Sequence, residues 1–352
     1  MIYQIYGRDA HEMTLALLER MDAVSLVPKG GSVALKPNLV IAGTPESGST
    51  THPGVLSGCI EYFRAHGVQD ISVIEGSWVG DETMRAMRKA GYDRVCQEYG
   101  VPFFDLKRDA VRTVSTHAGP IDVCRRALDC GLLVDLPVLK GHCQTIMTCA
   151  LKNLKGCLPD REKRHFHAMG LTKPIAALGA TLKPRLIVVD SICGDLDFEE
   201  GGNPVQTNRM FAGTDAVQID AYGAQLMGLF LSDVPYIELC EDWGGGSADV
   251  LPEDIVTLNQ PTDAAEYPAP SGQVARLTRN VHTDQACSAC FASLVRALHT
   301  TGVHRDDLYI GQGWNGKTID GIGIGKCCRG AGQCCMGCPP SAAQVADFLQ
   351  EL

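Results

Sequence analysis

The segment CGLLVDLPVL (130–139) is a nearly continuous apolar run that ends directly before Lys140 and His142. Such continuity is typical of a parallel strand that is covered on both faces. Three further runs have the same character: GSVALKPN (31–38), DISVIEGS (70–77) and PRLIVVDSI (184–192). Apolar positions at helical spacing occur between these runs, in residues 9–24, 53–66, 81–98, 173–181 and 214–229. The alternation predicts an α/β fold with a doubly wound, mostly parallel sheet.

Polar residues at the ends of these strands are candidate site residues, because ligands of such sheets bind at the carboxyl ends of the strands. The candidates are Lys36, Asn38, Glu75, Ser77, Lys140, His142 and Asp190. His52, just before a predicted helix, is a further candidate.

Residues 138–170 are unusually basic. They contain six Lys and Arg residues against two acidic ones, and three of the ten histidines, in a chain whose net charge is -10. Such a group can bind an anion through charge-assisted hydrogen bonds, and histidine adds proton transfer near neutral pH. The alternative is a solvated basic helix face with histidines used for packing.

We therefore predict a site for a small anionic substrate or cofactor. Its catalytic residues are predicted to be His142, Lys152, His167 and Asp190. Its ligand-binding residues are predicted to be Lys36, Asn38, His52, Lys140 and Asn153.

Four cysteines near the C-terminus indicate a metal site: Cys287 and Cys290 in CSAC, Cys327 in GIGIGKC and Cys338 in MGCPPSA. Four thiolates suit a [4Fe–4S] cluster, and a proline after the last cysteine is a recurring feature of such sites. Zinc, disulfides or free thiols are the alternatives. Seven cysteines lie between 287 and 338, so one cluster is a simpler interpretation than two. The roles of Cys328, Cys334 and Cys335 stay open.

The composition changes after about residue 243, where Gly, Pro and acidic residues become frequent. We predict an α/β domain over 1–245, a linker over 246–272, and a small iron–sulfur domain over 273–352. Ser341 is the predicted N-cap of a final helix.

The whole chain of 352 residues, with 16 cysteines, sets broader expectations. The negative charge argues against nucleic acid as a partner. Neither a secretory signal nor an 18-residue apolar run is evident, so we expect no membrane contact and a reducing cytoplasm, as in an anaerobe. The oligomeric state is not indicated by the sequence. Phosphate-loop, dinucleotide-binding and GxSxG motifs are not found.

Several motifs resemble the DUF362 proteins, a family of unknown function often described as iron–sulfur centre proteins. They are LKPN (35–38), TTHP (50–53), DLPVLKGH (135–142), ALKNLKG (150–156), HFH (165–167), VVDSI (188–192) and AGTDAVQIDA (212–221). CSAC, IGIGKC and GCPPSA are similar to the cluster segment of one branch of that family, which implies Cys287, Cys290, Cys327 and Cys338 as ligands. The chain lacks the CxxCxxCxxxCP run of many members.

The order His142, Lys152, His167 also resembles the lactate racemase family. That resemblance would imply a nickel-containing nucleotide cofactor and hydride chemistry on a hydroxy acid.

These observations predict a cytoplasmic oxidoreductase that passes electrons from one [4Fe–4S] cluster to an anionic ligand in a Lys/His-lined cleft. One alternative is a non-redox enzyme, such as an isomerase or racemase, with a structural metal centre. The other is an electron carrier that has no substrate of its own and acts with an electron-transfer protein.

Overall fold

A computed structural model describes residues 1–261 and 272–352 of the chain, which folds into two compact units. The first unit comprises Met1–Glu162 and Thr172–Pro270, and the C-terminal unit comprises Lys163–Leu171 and Ser271–Leu352. Residues 163–171, which the sequence analysis assigned to the α/β domain, thus group with the C-terminal unit. Within the predicted linker 246–272, Ile255–Thr257 forms a strand of the first unit. Residues 262–271 of that linker lie outside the described residues.

Residues 1–261 contain twelve strands, ten α-helices and six short 3₁₀ helices. The strands are β1 (Ile2–Tyr6), β2 (Val33–Pro37), β3 (Ile71–Glu75), β4 (Phe103–Asp105), β5 (Val111–Thr116), β6 (Gly119–Cys124), β7 (Leu132–Leu136), β8 (Lys140–His142), β9 (Ile146–Thr148), β10 (Leu186–Asp195), β11 (Pro204–Gly213) and β12 (Ile255–Thr257). The helices are α1 (Ala10–Arg20), α2 (Pro53–Ala65), α3 (Thr83–Lys89), α4 (Tyr92–Tyr99), α5 (Arg125–Asp129), α6 (Ala150–Asn153), α7 (Asp160–Ala168), α8 (Thr172–Leu182), α9 (Ala216–Leu226) and α10 (Tyr236–Asp242). Helix α7 continues into the segment that groups with the C-terminal unit.

Eight of these strands form the central sheet, in the order β12-β1-β11-β10-β7-β2-β3-β4. Only β11 runs antiparallel to its neighbours, and the other pairings are parallel. The predicted mixed α/β fold with a large, mostly parallel sheet is confirmed. Chain order reverses direction between β2 and β7, and this switch point is where α/β sheets of this kind bind ligands.

The two faces of the sheet differ in what they bury. Leu35 of β2 and Val134 of β7 pack into the apolar core formed with α1 to α4. Because successive side chains of a strand point to opposite faces, Lys36 and Asp135 lie on the other face. Asn153 of α6 reaches Asp135 there, with 2.8 Å between Nδ2 and Oδ1. The second face therefore carries the polar residues that the sequence analysis placed at strand ends.

The segment 81–98, predicted to be helical throughout, is two helices, α3 and α4. Gly91 lies between them with a φ of 85°, a left-handed conformation that a right-handed helix cannot continue through.

Helix α6 is only four residues long and is fixed in place by Asp220 of α9. The Asp220 carboxylate accepts hydrogen bonds from the backbone nitrogens of Ala150 (2.7 Å) and Leu151 (3.3 Å). This contact orients the helix that carries Lys152 and Asn153. Burial raises the pKa of Asp220 to about 8.

The C-terminal unit has a sheet of four parallel strands: β13 (His282–Thr283), β14 (Leu308–Ile310), β15 (Ile319–Ile324) and β16 (Ala331–Cys335). Its other helices are α11 (Gln273–Thr278), α12 (Ser288–Thr301) and α13 (Ala342–Gln350). Ser341 caps α13 as predicted, since its side chain accepts from the Gln344 nitrogen at 3.2 Å. Within the described ranges, no helix has the length and apolar character needed to span a bilayer.

We expect Asp220→Asn to alter how stability depends on pH. With a folded-state pKa of about 8 and an unfolded value of about 4, Asp220 binds a proton in the folded state that the unfolded state has released. This residue therefore makes the free energy of unfolding fall as pH rises from about 4 to about 8. Asparagine keeps the acceptor oxygen but does not titrate, so the variant should gain stability relative to the native chain over that range.

Denaturant unfolding at pH 5 and at pH 8 measures this difference. The exposed Glu82→Gln is the matched control and should shift both values equally. If Asp220→Asn also changes both by the same amount, the proposed protonation of Asp220 is wrong.

Candidate functional site

Six of the predicted site residues lie together in one buried polar network at the carboxyl ends of β2 and β7. They are Lys36, Asn38, Lys140, His142, Lys152 and Asn153. Two amides connect the strands: Asn153 Nδ2 donates to Asp135 Oδ1 at 2.8 Å, and Asn153 Oδ1 accepts from Asn38 Nδ2 at 3.0 Å. Asn38 Oδ1 in turn accepts from Lys140 Nζ at 3.1 Å. Each polar group thus depends on its neighbours for a partner.

Lys36 is fully buried and forms an ion pair with Glu75 at the end of β3. Its ammonium group also donates to the Pro37 carbonyl at 3.0 Å. Burial alone would lower the pKa of Lys36, but Glu75 and other nearby acidic groups outweigh burial and raise it. A Cβ at Gly156 would collide with both partners, so only glycine fits beside this ion pair.

Asp135 is the second buried carboxyl near Lys36. Burial raises the pKa of Asp135 to about 7, although Lys36 and Asn153 act in the opposite direction. Its Oδ2 has no hydrogen-bond partner among the described residues. Asp135 is therefore a group that can hold a proton near neutral pH.

Glu199 neutralises the basic side of the network. Its Oε1 accepts from Lys152 Nζ at 2.7 Å, its Oε2 lies 2.8 Å from His142 Nε2, and its carbonyl accepts from Lys140 Nζ at 2.9 Å. Burial opposes its ionisation, but His142 and Lys152 hold the pKa of this carboxyl well below its usual range. The position predicted for an anionic ligand thus holds a carboxylate of the chain itself.

The loop that carries Glu199 joins β10 to β11 and is firmly fixed. The Asp195 carboxylate accepts from three backbone nitrogens of this loop, those of Asp197 (2.9 Å), Phe198 (2.6 Å) and Asn203 (2.6 Å).

The protonation state of His142 follows from its contacts. Its Nδ1 accepts from the backbone nitrogens of Gln144 (3.0 Å) and Thr145 (3.1 Å), so the neutral ring carries its hydrogen on Nε2 and donates it to Glu199. Burial lowers the pKa of His142 to about 4, which keeps the ring neutral at pH 7.

Lys140 has the surroundings of an ammonium group. Burial lowers its pKa to about 7, but three oxygens, those of Asn38, Ser49 (2.6 Å) and Glu199, accept its three hydrogens. All three hydrogens of the Lys140 ammonium group are therefore donated to oxygens of the protein.

Asp190 and His52 lie beside a cavity of the first unit. The Asp190 carboxylate accepts from the backbone nitrogens of His52 (2.7 Å) and Ile192 (3.0 Å), and burial raises its pKa. Both residues line a cavity of about 160 Å³, which we call the His52–Asp190 cavity. Its lining residues are Arg8, Pro45, Glu46, His52, Asp190, Ile192, Cys193 and Gln206.

His167 belongs to the C-terminal unit and not to the unit that contains His142 and Lys152. Its Nε2 lies 3.4 Å from the nitrogen and 3.4 Å from the Oγ of Ser288.

The four predicted metal-binding cysteines line one small cavity of about 40 Å³ in the C-terminal unit, together with Arg164 and Lys326. Cys287 is the N-cap of α12 and Cys290 lies in its first turn, whereas Cys327 follows β15 and Cys338 follows β16. These positions are at the carboxyl ends of parallel strands or just beyond them.

The thiols also raise one another's pKa through electrostatic repulsion between their charged forms. Burial and the other thiols raise the pKa of Cys290, with Cys287, Cys338 and Cys327 the nearest contributors. Burial and Cys338 raise the pKa of Cys327, and the charge of Arg164 acts against them.

Gly325, with a φ of 85°, brings the chain past this cavity, where a Cβ would lie 3.3 Å from Cys290 Sγ. All sixteen cysteines fall in the described ranges and are free thiols. The same ranges contain no group of three or more His, Cys, Asp or Glu side chains that could hold a single metal ion. Cys328, Cys334 and Cys335 are not among the residues that line the cavity.

Sequence reasoning missed three residues with central roles. Asp135 stands in a run of buried apolar residues, and this unusual setting was a usable signal. Glu199, in the acidic stretch DFEEGG, looks like an ordinary surface residue, and nothing in the sequence links it to Lys152. Arg164 belongs to the basic stretch 138–170, and nothing in the sequence links it to the cysteines.

The Lys36–Glu75 pair provides a stability test. We expect Lys36→Met to destabilise the first unit by about 3–5 kcal/mol, because Glu75 is left as a buried charge without its partner. The double variant Lys36→Met/Glu75→Leu should recover most of that loss, since it removes both charges together. Denaturant unfolding measures both.

Arg112→Met, which breaks an exposed pair with Asp129, is the matched control and should cost less than about 1 kcal/mol. A double variant as unstable as the single one would show that Lys36 acts through something other than Glu75.

Comparison with known proteins places the chain in a family. Residues 33–225 match the family model described as "Domain of unknown function (DUF362)". The chain is 24% identical over 245 residues to "Thylakoid-associated protein sll1697" of Synechocystis sp. (strain ATCC 27184 / PCC 6803 / Kazusa), a match that covers 65% of this chain and 73% of that protein.

Among solved structures, the lactate racemase apoprotein from Thermoanaerobacterium thermosaccharolyticum is similar at 13% identity. That match covers 64% of this chain and 57% of the racemase, with a TM-score of 0.42, too low to carry an argument. The family match spans more than half of the described protein, and the chain belongs to the DUF362 family.

Proposed function

We propose that this protein is an iron–sulfur protein that transfers electrons, with one [4Fe–4S] cluster bound by Cys287, Cys290, Cys327 and Cys338. The observation that supports the proposal best is the cavity that these four cysteines line together. They come from three separate stretches of the chain, and the fold of the C-terminal unit brings them to one place.

The chemistry of the cavity lining supports such a cluster. Each thiolate of a cubane binds a different iron, so the four sulfurs must surround a space rather than meet at one point. Arg164 and Lys326 line the same cavity and would offset the negative charge of a thiolate-bound cluster. When bound, the cluster would supply one-electron redox chemistry. Because burial raises the pKa of Cys290 and Cys327, binding of iron should release protons from these thiols.

Zinc is the alternative metal that four thiolates could bind, but the described residues contain no group of three or more Cys, His, Asp or Glu side chains that could hold a single metal ion, which favours a cluster over zinc. If these thiols bound zinc, or a cluster with only a structural role, the protein would match the alternative hypothesis of a non-redox enzyme with a structural metal centre. Reduction of the bound metal distinguishes the two, since zinc has no accessible redox change.

There is less support for an anionic ligand bound by Lys140, His142 and Lys152 than for the cluster. Glu199 already provides the negative charge that an incoming anion would supply. We propose instead that the network holds the strand ends in place and stores protons on Asp135. The oxidoreductase activity is then a proposal that rests on the C-terminal unit, and its substrate would bind elsewhere.

A cytoplasmic location and an anaerobic source stay predictions. The relative in Synechocystis carries the name thylakoid-associated, which describes that protein. Fractionation of the native cells, with immunoblotting of the soluble and membrane fractions, would test the location.

We expect anaerobic reconstitution with ferrous iron and sulfide to yield about four iron atoms per chain and an EPR signal after reduction. Cys287→Ser and Cys338→Ser should lose most of the iron, because each removes one thiolate from the cavity. Cys334→Ser is the matched control, since this half-buried cysteine does not line the cavity, and it should keep the iron.

Two results would contradict the proposal. One is a protein that takes up zinc but no reducible iron. The other is equal loss of iron in Cys334→Ser and Cys338→Ser.

Arg164 provides a test of redox function itself. Its positive charge beside the cavity should favour the more negative, reduced state of the cluster. We expect Arg164→Gln to lower the midpoint potential by tens of millivolts without loss of iron, as measured by EPR-monitored redox titration.

Arg305→Gln, which removes a charge paired with Asp307 in the same unit, serves as the control and should leave the potential unchanged. An unchanged potential in Arg164→Gln would mean that Arg164 does not act on the cluster.

A further inference from the structure

A cavity of about 480 Å³ lies at the amino ends of three neighbouring strands of the central sheet. Ser32 directly precedes β2, Asp70 directly precedes β3 and Pro102 directly precedes β4, and all three residues line the cavity. We call it the amino-end cavity. It shares no lining residue with the His52–Asp190 cavity, and it lies at the edge of the sheet opposite the polar network.

We propose that the amino-end cavity binds a neutral sugar, either a monosaccharide or a disaccharide. Its volume falls within the range of about 300–1,000 Å³ that is usual for small-molecule sites in proteins. A single ion or an inorganic phosphate would leave most of this space unfilled. The proposal does not depend on the cluster, because every lining residue belongs to the first unit.

The charged residues of the lining already balance one another. Arg126 Nε lies 3.4 Å from Asp109 Oδ1, and the Arg126 backbone nitrogen donates to Asp109 Oδ2 at 2.9 Å. The Asp129 carboxylate accepts from Arg125 Nε at 3.1 Å and from Arg112 Nη1 at 2.9 Å. An anion in the cavity would lie beside these carboxylates, and a cation would lie beside the guanidinium groups. A ligand without charge avoids both repulsions.

The two arginines of the lining keep hydrogen-bond donors for such a ligand. Each contacts its carboxylate through Nε, and within residues 1–261 and 272–352 the terminal nitrogens of Arg125 and Arg126 donate no hydrogen bond. Arg126 also lies over the ring of Phe104, with 3.5 Å from its guanidinium carbon to the ring centroid. Because stacking and the carboxylate orient this guanidinium, its two terminal nitrogens can donate side by side to adjacent hydroxyl oxygens.

The lining also offers acceptors and hydroxyl groups. The exposed Asp70 carboxylate forms neither a hydrogen bond nor an ion pair with any described residue. Ser32 Oγ accepts from the Gly131 nitrogen at 3.1 Å, which leaves its own hydrogen to donate. The half-buried Ser72 adds a second hydroxyl. A sugar hydroxyl both donates and accepts, so a lining with donors and acceptors side by side matches a sugar better than it matches a ligand that only donates or only accepts.

Matched hexoses test the proposal on the full-length chain. Titrations followed by saturation-transfer NMR should show saturable binding of at least one of D-glucose, D-galactose and D-mannose. The 2-amino derivative of that hexose adds a positive charge, and its 6-phosphate adds negative charge. Each derivative should bind more weakly than the parent hexose, because the balanced lining has no spare opposite charge for it.

Exposed lining residues allow substitutions that leave the core unchanged. Arg126→Gln removes the terminal nitrogens of one guanidinium, and Asp70→Ala removes the unpaired acceptor. We expect each to weaken binding of the hexose by about fivefold or more. Arg88→Gln and Glu82→Gln remove exposed charges of α3 and its N-cap outside the cavity, and these controls should bind the hexose as the native chain does.

Three results would overturn the inference. The first is the absence of saturable binding by all three hexoses. The second is a charged derivative that binds more tightly than its parent hexose. The third is unchanged hexose affinity in both Arg126→Gln and Asp70→Ala.

Discussion

Lys36, Lys140 and Lys152 are buried, and each can carry its positive charge in the folded first unit only if it meets a negative charge or a set of carbonyl oxygens. An isolated buried charge would cost several kcal/mol, more than the net stability that most interactions contribute. Glu75 neutralises Lys36, and Glu199 neutralises Lys152. This requirement fixes which residues the β10–β11 loop and the end of β3 must present, and it explains why a basic stretch of sequence does not produce a basic cleft.

The C-terminal unit satisfies a different constraint. Its four strands are all parallel, so their carboxyl ends meet at one edge of the sheet. Cys327 and Cys338 each follow such a strand, and Cys287 follows β13 by only a few residues before it caps α12. Residues far apart in sequence therefore line one cavity without any need for a long loop to reach across.

Local patterns predicted four of the eight strands of the central sheet, because a buried parallel strand is marked by a short, continuous apolar run. The runs at 31–38, 70–77, 130–139 and 184–192 correspond to β2, β3, β7 and β10. The partners of the charged residues could not be found in this way. Glu199 meets Lys152 across 47 positions, and Arg164 meets cysteines more than 100 positions away, so only the tertiary fold brings them together. Charge counted along the chain overestimated the basic character of 138–170 for this reason.

The two polar places at the strand ends of the first unit differ in what a ligand would have to replace. Entry beside Lys152 and His142 would break two charge-assisted hydrogen bonds of Glu199, each worth about 1.5–3 kcal/mol, and would also disturb the loop that Asp195 holds. At the His52–Asp190 cavity, by contrast, space is already open, and the Nε2 hydrogen of neutral His52 has no acceptor among the described residues. A ligand gains most binding free energy where polar groups of the protein lack hydrogen-bond partners. Ligand binding in this unit is therefore better sought beside Asp190 than among the lysines, which already donate to carboxylates and carbonyl oxygens of the protein.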